Sequence, residues 1–209
     1  MPRVRTRPTR QDTADRLVSG ARKAITERSF HGATVDHICE AAGLTRGAFY
    51  SGFKTKEELF LELYGRVSLD VAHLLGNALE EALKGDGDPI DTMFQKFAAA
   101  YPLGREWYIL NAEMTLVALR SEIAAATFAK RRQTLRHMVV AKIQQVLDMS
   151  SRRLTIDPDL LARALIGLTD AGLGQSLIEP DKLGRSTFIE AICPVILKSC
   201  SEPLPAGGS

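Results

Sequence analysis

Apolar residues recur along this chain at spacings of three and four, without sustained alternation at two, so the pattern predicts helices from end to end. Between Thr13 and Arg28, the residues Leu17, Ala21, Ala24 and Ile25 form one stripe, and Phe30-His31-Gly32 ends that helix with Phe30 as a plug for a small core. Thr34 caps a second helix, on which Val35, Ile38, Cys39 and Ala42 share one face. Gly43 stops it, glycine being the residue suited to a left-handed turn. Thr45 caps a short third helix, Arg46-Gly47-Ala48-Phe49-Tyr50. Thr55 opens a fourth, with Glu58 three residues later completing a capping box. Its stripe of Leu59, Leu63, Val67, Val71, Leu74 and Leu75 carries it close to Lys84, before the break at Gly85-Asp86-Gly87-Asp88-Pro89.

Further helices are predicted near 89–101, 105–120, 122–149, 158–177 and 186–200. The expected fold class is all-α, a three-helix head joined by the long fourth helix to a helical body. The expected division is 1–57 for a basic arm and helix-turn-helix, 58–201 for the body and 202–209 for a disordered Pro/Gly/Ser tail. The helix over 160–178 is apolar nearly all round, and Phe188, Ile192, Val195 and Ile196 stripe the last one. These two are suited to a four-helix interface with a second copy. Gly167, Ala171, Gly172 and Gly174 would allow close approach there, or equally within one chain.

Hydrophobic content of 45% is ordinary for a globular chain of 209 residues, and no apolar run reaches the roughly 20 residues of a membrane span. The start, MPRVRTRPTR, has no apolar core after its charges and does not read as a secretory signal. Cys39, Cys193 and Cys200 include no Cys-x-x-Cys pair, so neither a disulfide framework nor a zinc site is suggested and a reducing cytoplasm is the natural setting. Cys200 is the candidate reactive thiol. The net charge of +2 conceals a division: residues 1–60 hold 11 Lys and Arg against 7 Asp and Glu, and the remainder is slightly acidic. Arg3, Arg5, Arg7 and Arg10 form a basic arm able to follow phosphates or enter a minor groove, or else a solubilising tail. The four histidines are scattered, and no phosphate loop or nucleophile elbow is present, so no enzyme and no cofactor are expected.

Two short helices joined by a tight glycine turn have the layout of a helix-turn-helix. Thr34, Val35, Ile38, Ala42-Gly43-Leu44-Thr45, Gly47, Phe49-Tyr50, Phe53, Lys56-Glu57 and Leu59 together resemble the pattern of the TetR family of transcriptional regulators. Cys39 departs from the family's usual alanine, and Gly52 from the His, Tyr or Asn of many members. Arg46 is the expected base reader, its forked guanidinium matching guanine O6 and N7, or alternatively a phosphate contact. Ala48 permits close approach and can touch a thymine methyl, and Gly47 lets the helix sit close to DNA. Thr34, Thr45, Tyr50, Ser51, Lys54 and Lys56 are expected as phosphate anchors, which fix register without reading sequence.

In the body, Met93, Phe94, Phe97, Tyr101, Trp107, Tyr108, Met114, Phe128 and Met138 fit either plain core or the lining of an apolar cavity. Asn111 lies on the apolar stripe of its own helix, where a buried amide needs partners from the protein or a ligand. Phe97, Trp107, Asn111, Met114 and Met138 are therefore the candidate ligand-binding residues. Asp170, in the most apolar helix, is expected to pair with Arg163 or across a dimer. The resemblance implies a homodimer through the last two helices, a palindromic double-stranded DNA operator, and a small apolar or aromatic effector that biases the spacing of the heads. It implies repression, while the apolar runs and the scattered histidines and cysteines lead to an expectation of no membrane and no metal. The alternative from another class is a helical small-molecule binding protein whose head does not read DNA.

Overall fold

A computed structural model describes residues 9–101 and 104–205. Among these, nine α-helices follow one another: α1 Arg10–Gly32, α2 Val35–Ala42, α3 Arg46–Gly52, α4 Lys56–Lys84, α5 Pro89–Ala100, α6 Arg105–Arg120, α7 Glu122–Met149, α8 Pro158–Ile178 and α9 Cys193–Ser199. A π-helical turn, Phe188–Ile192, leads into α9. Contacts divide the chain into two units, one of residues 1–67 with 109–129, the other of residues 68–108 with 130–209. The all-α expectation is met, apart from one short strand pair among the described residues.

The first unit is built on apolar stripes that meet. Leu17, Ile25, Ile38, Phe49, Leu59, Phe60 and Leu63 are fully enclosed, each contributing about 1.5–3 kcal/mol by leaving water. The α1–α2 crossing depends on Gly20, because a Cβ there would lie 2.6 Å from the Ile38 carbonyl oxygen. α1 begins three residues before the expected Thr13, through a reciprocal box: the Thr9 hydroxyl accepts the Asp12 N–H at 3.1 Å and Asp12 accepts the Thr9 N–H at 2.9 Å. Arg10 is thus helical instead of part of an arm, and Arg3, Arg5 and Arg7 lie outside the described residues. Near its other end α1 is interrupted at Ser29, whose φ of 64° and ψ of 168° a side chain rarely adopts. Phe30 then turns inward, 2% exposed, and stacks on Phe60 at 5.0 Å. At α4, Thr55 caps as expected, but Glu58 accepts the Lys54 N–H, so the box closes one residue further out.

In the second unit, Asp88 and Asp157 cap α5 and α8, each followed by a proline at the first helical position. Gly172 and Gly174 serve packing within the chain, since Cβ atoms there would meet the Phe188 ring at 2.5 Å and the Tyr108 hydroxyl at 2.6 Å. Gly167 has nothing within 4 Å of its notional Cβ. Asp170 faces Arg132 of α7 at 3.8 Å, while Arg163 pairs instead with Asp159 at 2.7 Å, one turn back on its own helix.

The tail departs from its expectation. Composition leaves 202–209 without structure, yet Ser201–Pro203 form an antiparallel strand, β2, paired with β1, Arg152–Leu154. The cause is Arg152, whose guanidinium donates to the Lys198 carbonyl at 2.8 Å and to the Ser201 hydroxyl at 2.9 Å. Arg153 adds an ion pair with Glu202 at 2.6 Å.

Candidate nucleic-acid interface

The head is held together by its caps. The Thr34 hydroxyl accepts the His37 N–H at 3.2 Å, and His37 Nδ1 accepts the Thr34 N–H at 3.3 Å. α2 ends at Gly43 with φ 62° and ψ 39°, a left-handed turn that costs glycine nothing. Arg16 of α1 secures this turn by donating to the Ala42 carbonyl at 2.8 Å and the Gly43 carbonyl at 2.7 Å. Across it, the Thr45 hydroxyl accepts the Ala48 N–H at 3.2 Å and starts α3. Buried Phe49 and Phe53 fasten the inner side of α3, which leaves Arg46, Gly47, Tyr50 and Ser51 exposed with Ala48 half-buried beside them.

Of the expected DNA-contacting residues, Arg46, Gly47, Ala48, Tyr50 and Ser51 share α3, with Thr45 at its cap. Arg46 Nε lies 3.4 Å from Asp36 Oδ1 of α2. A hydrogen bond with the Tyr50 side chain, and then the Asp36 carboxylate, raise the pKa of this guanidinium above its ordinary value. Gly47 is not required by packing, because a Cβ there would find its nearest neighbour, Thr45 Oγ1, at 3.7 Å. Ser51 donates its hydroxyl proton to the Ala48 carbonyl at 2.8 Å, presenting lone pairs outward in this rotamer. Lys54 is exposed.

Lys56, expected as a phosphate anchor, has partners within the head. Its ammonium donates to the Phe30 carbonyl at 2.7 Å and the Ala33 carbonyl at 2.8 Å, and lies 4.4 Å from the centroid of the Phe30 ring. Burial lowers its pKa, with Glu57 acting in the opposite sense. It therefore fastens the α1–α2 corner from inside the head.

The candidate effector residues are distributed over both units. Phe97, Trp107 and Met138 belong to the second, Asn111 and Met114 to the first. Phe97, Trp107, Asn111 and Met114 are buried and Met138 is half-buried. Trp107, Asn111 and Met114 follow one another on α6 at spacings of four and three, on one face of that helix.

Several contributors escape sequence reasoning. Asp36 and Arg16 are charged residues on outward faces, and periodicity says only that such residues are exposed. Arg10 and Thr13 line an open groove of about 740 Å³ together with Ala14, Leu44, Gly47, Ala48, Ser51 and Gly52. Gly52 is free to be larger, since a Cβ there would meet only Leu17 Cδ1, at 4.0 Å. Thr9 with Asp12 is the signal that could have moved Arg10 from arm to helix.

Comparison with known proteins agrees with this geometry. Residues 17–63 match the family described as bacterial regulatory proteins, tetR family. Over 177 residues the chain is 23% identical to the transcriptional repressor AcnR of Corynebacterium glutamicum, covering 84% of this chain and 88% of that one. It is 25% identical to the transcriptional regulator AcrR of Shigella flexneri, covering 73% and 75% of the two chains. Among solved structures, a transcriptional regulator from Pseudomonas aeruginosa PAO1 superposes with a TM-score of 0.74 at 20% identity over 92% of each chain. FadR of Bacillus subtilis, solved in complex with stearoyl-CoA, does so with a TM-score of 0.67 at 13% identity, covering 88% of this chain and 97% of that one. The glycine-turned pair of capped helices, closed by a buried aromatic side, lies within the matched residues 17–63, and that segment identifies the head of this chain as that of the bacterial regulatory proteins of the tetR family.

Proposed function

We propose that the protein is a cytoplasmic, ligand-responsive repressor that binds a palindromic DNA operator as a homodimer. The observation that carries this reading is the exposed edge of α3, where Arg46, Gly47 and Tyr50 face outward on a helix whose opposite side is locked by Phe49. A short helix with a forked cation, a glycine and a small residue fits a major groove. Thr34, Thr45, Tyr50, Ser51 and Lys54 supply the phosphate contacts, joined by Arg10 and Thr13 from the adjoining groove. Residues 1–57 act as the DNA-binding domain and 58–201 as the effector-binding and dimerising body.

The dimer reading rests on α8 and α9. Leu160, Ala164, Gly167, Ala171 and Ile178 are exposed along α8, and Ile192 and Val195 at the end of the chain's helices. Gly167, open on its outer side, suits the approach of a second helix. Two such pairs would bring the heads onto sites one turn apart, about 34–36 Å. The effector is a small apolar or aromatic molecule, with Phe97, Trp107 and Met138 of the second unit as its candidate contacts, and the stearoyl-CoA in the FadR structure supports an apolar ligand for a body of this fold. Such a ligand acts only by binding one spacing of the heads better than another.

Selection of random duplex DNA by the purified protein tests this, followed by titration of the winning duplex at 50 and 200 mM salt. A palindrome whose affinity falls by roughly 10³-fold or more over that range, by counterion release, is the expected result. No enrichment at low salt would overturn it and leave a small-molecule binding protein with an idle head.

A further inference from the structure

We infer that Asp36 is a positioning residue for sequence reading, holding Arg46 in the orientation in which it meets a base pair; this rests on the DNA-binding function proposed above. An exposed carboxylate beside the reading edge of α3 opposes phosphates, so its presence there requires a reason. Stability does not supply one. Both side chains of the Asp36–Arg46 pair are more than half exposed, 65% and 61%, and such pairs contribute little to folding. Asp36 also lies in the first turn of α2, where an acid is favourable, but that benefit is independent of which DNA sequence is bound.

The geometry gives the missing reason. Asp36 comes from α2 and Arg46 from α3, so the pair bridges the two helices across Gly43. Asp36 approaches Nε at 3.4 Å, which leaves the far end of the guanidinium, its two terminal nitrogens, for a bidentate contact. Arginine otherwise loses considerable rotamer freedom on binding, and a tether reduces that loss before DNA arrives.

The test is random-duplex selection with the full chain and with Asp36→Asn, Arg46→Ala and the double variant. Asp36→Asn is expected to lower the preference at one base pair of each half-site by roughly 5-fold, a base pair also lost in Arg46→Ala. It should also raise affinity for random DNA, since a repelling charge is gone. In the Arg46→Ala background the Asp36 change should no longer alter base preference. An unchanged preference in Asp36→Asn would overturn the inference, as would an equal effect in both backgrounds, which would mean that Asp36 touches a base itself. If the unaltered chain enriches no sequence, the proposed function falls and this inference falls with it.

Discussion

The Glu113 carboxylate of α6 accepts the backbone N–H of Phe30 at 3.0 Å, one residue past the unusual Ser29 conformation. A helix carrying candidate effector residues thus holds the corner at which α1 turns toward α2, inside a single unit of the chain. Hydrogen bonds to charged groups contribute about 1.5–3 kcal/mol. Glu113→Ala should destabilise by about that amount, whereas Glu113→Gln, which keeps an acceptor oxygen, should lose less. Urea unfolding compares the three proteins; identical midpoints would show that Glu113 does not hold the corner.

Two glycines of the head should respond oppositely to alanine. Gly20→Ala places a Cβ against the backbone of α2, which cannot yield as a side chain can, and should cost at least about 1–3 kcal/mol. Gly47→Ala meets nothing closer than 3.7 Å and should leave stability equal or slightly higher. If Gly47 exists for close approach to DNA, its alanine variant will nevertheless bind the selected duplex more weakly. Thermal melts and duplex titrations separate the two effects.

This contrast marks what was legible from sequence. The bounds of α6 and α7 and the Gly43 turn follow from stripes and caps, which are local. Gly20 sits on the apolar face of α1, but nothing nearby in sequence reveals the α2 carbonyl against it. Asp36, Arg16 and Glu113 escape for the same reason: each acts across helices, and a charged residue looks alike in sequence with or without a partner. The Lys56 contacts are likewise hidden, because a family motif records that a lysine is present, not that two carbonyls lie within its reach.

Substituting the open glycine of α8 tests dimerisation without disturbing a single chain. Gly167→Glu adds a charged side chain where no atom lies within 4 Å, so helix content and single-chain packing should persist. Burying unpaired glutamates at a dimer interface is costly, and sedimentation should move from dimer toward monomer. A variant that remains dimeric would remove Gly167 from the interface.

The thiols should differ in their response to pH. Burial pushes Cys193 up to about 11, a hydrogen bond with Thr169 working the other way. Its folded pKa exceeds the ordinary value of 9.0, so the stability gained by keeping the proton is full below pH 9 and is lost as pH rises through about 11. The decrease in unfolding midpoint between pH 8 and pH 10.5 should therefore be smaller in Cys193→Ala than in the parent. At pH 8, alkylation followed by mass spectrometry should find Cys200, the thiol not fully buried, modified before Cys39 and Cys193.

The pairing of Arg152–Leu154 with Ser201–Pro203 makes α8 and α9 begin and end at one place. The segment between the two strands is a non-covalent ring, fastened where it leaves α7 and fastened again after α9. Fraying of the chain end is thereby stopped at the clasp before it can reach the helices offered to a second copy. Shortening the protein to Cys200 would open the ring, and a long fusion at the C-terminus would pull on its catch.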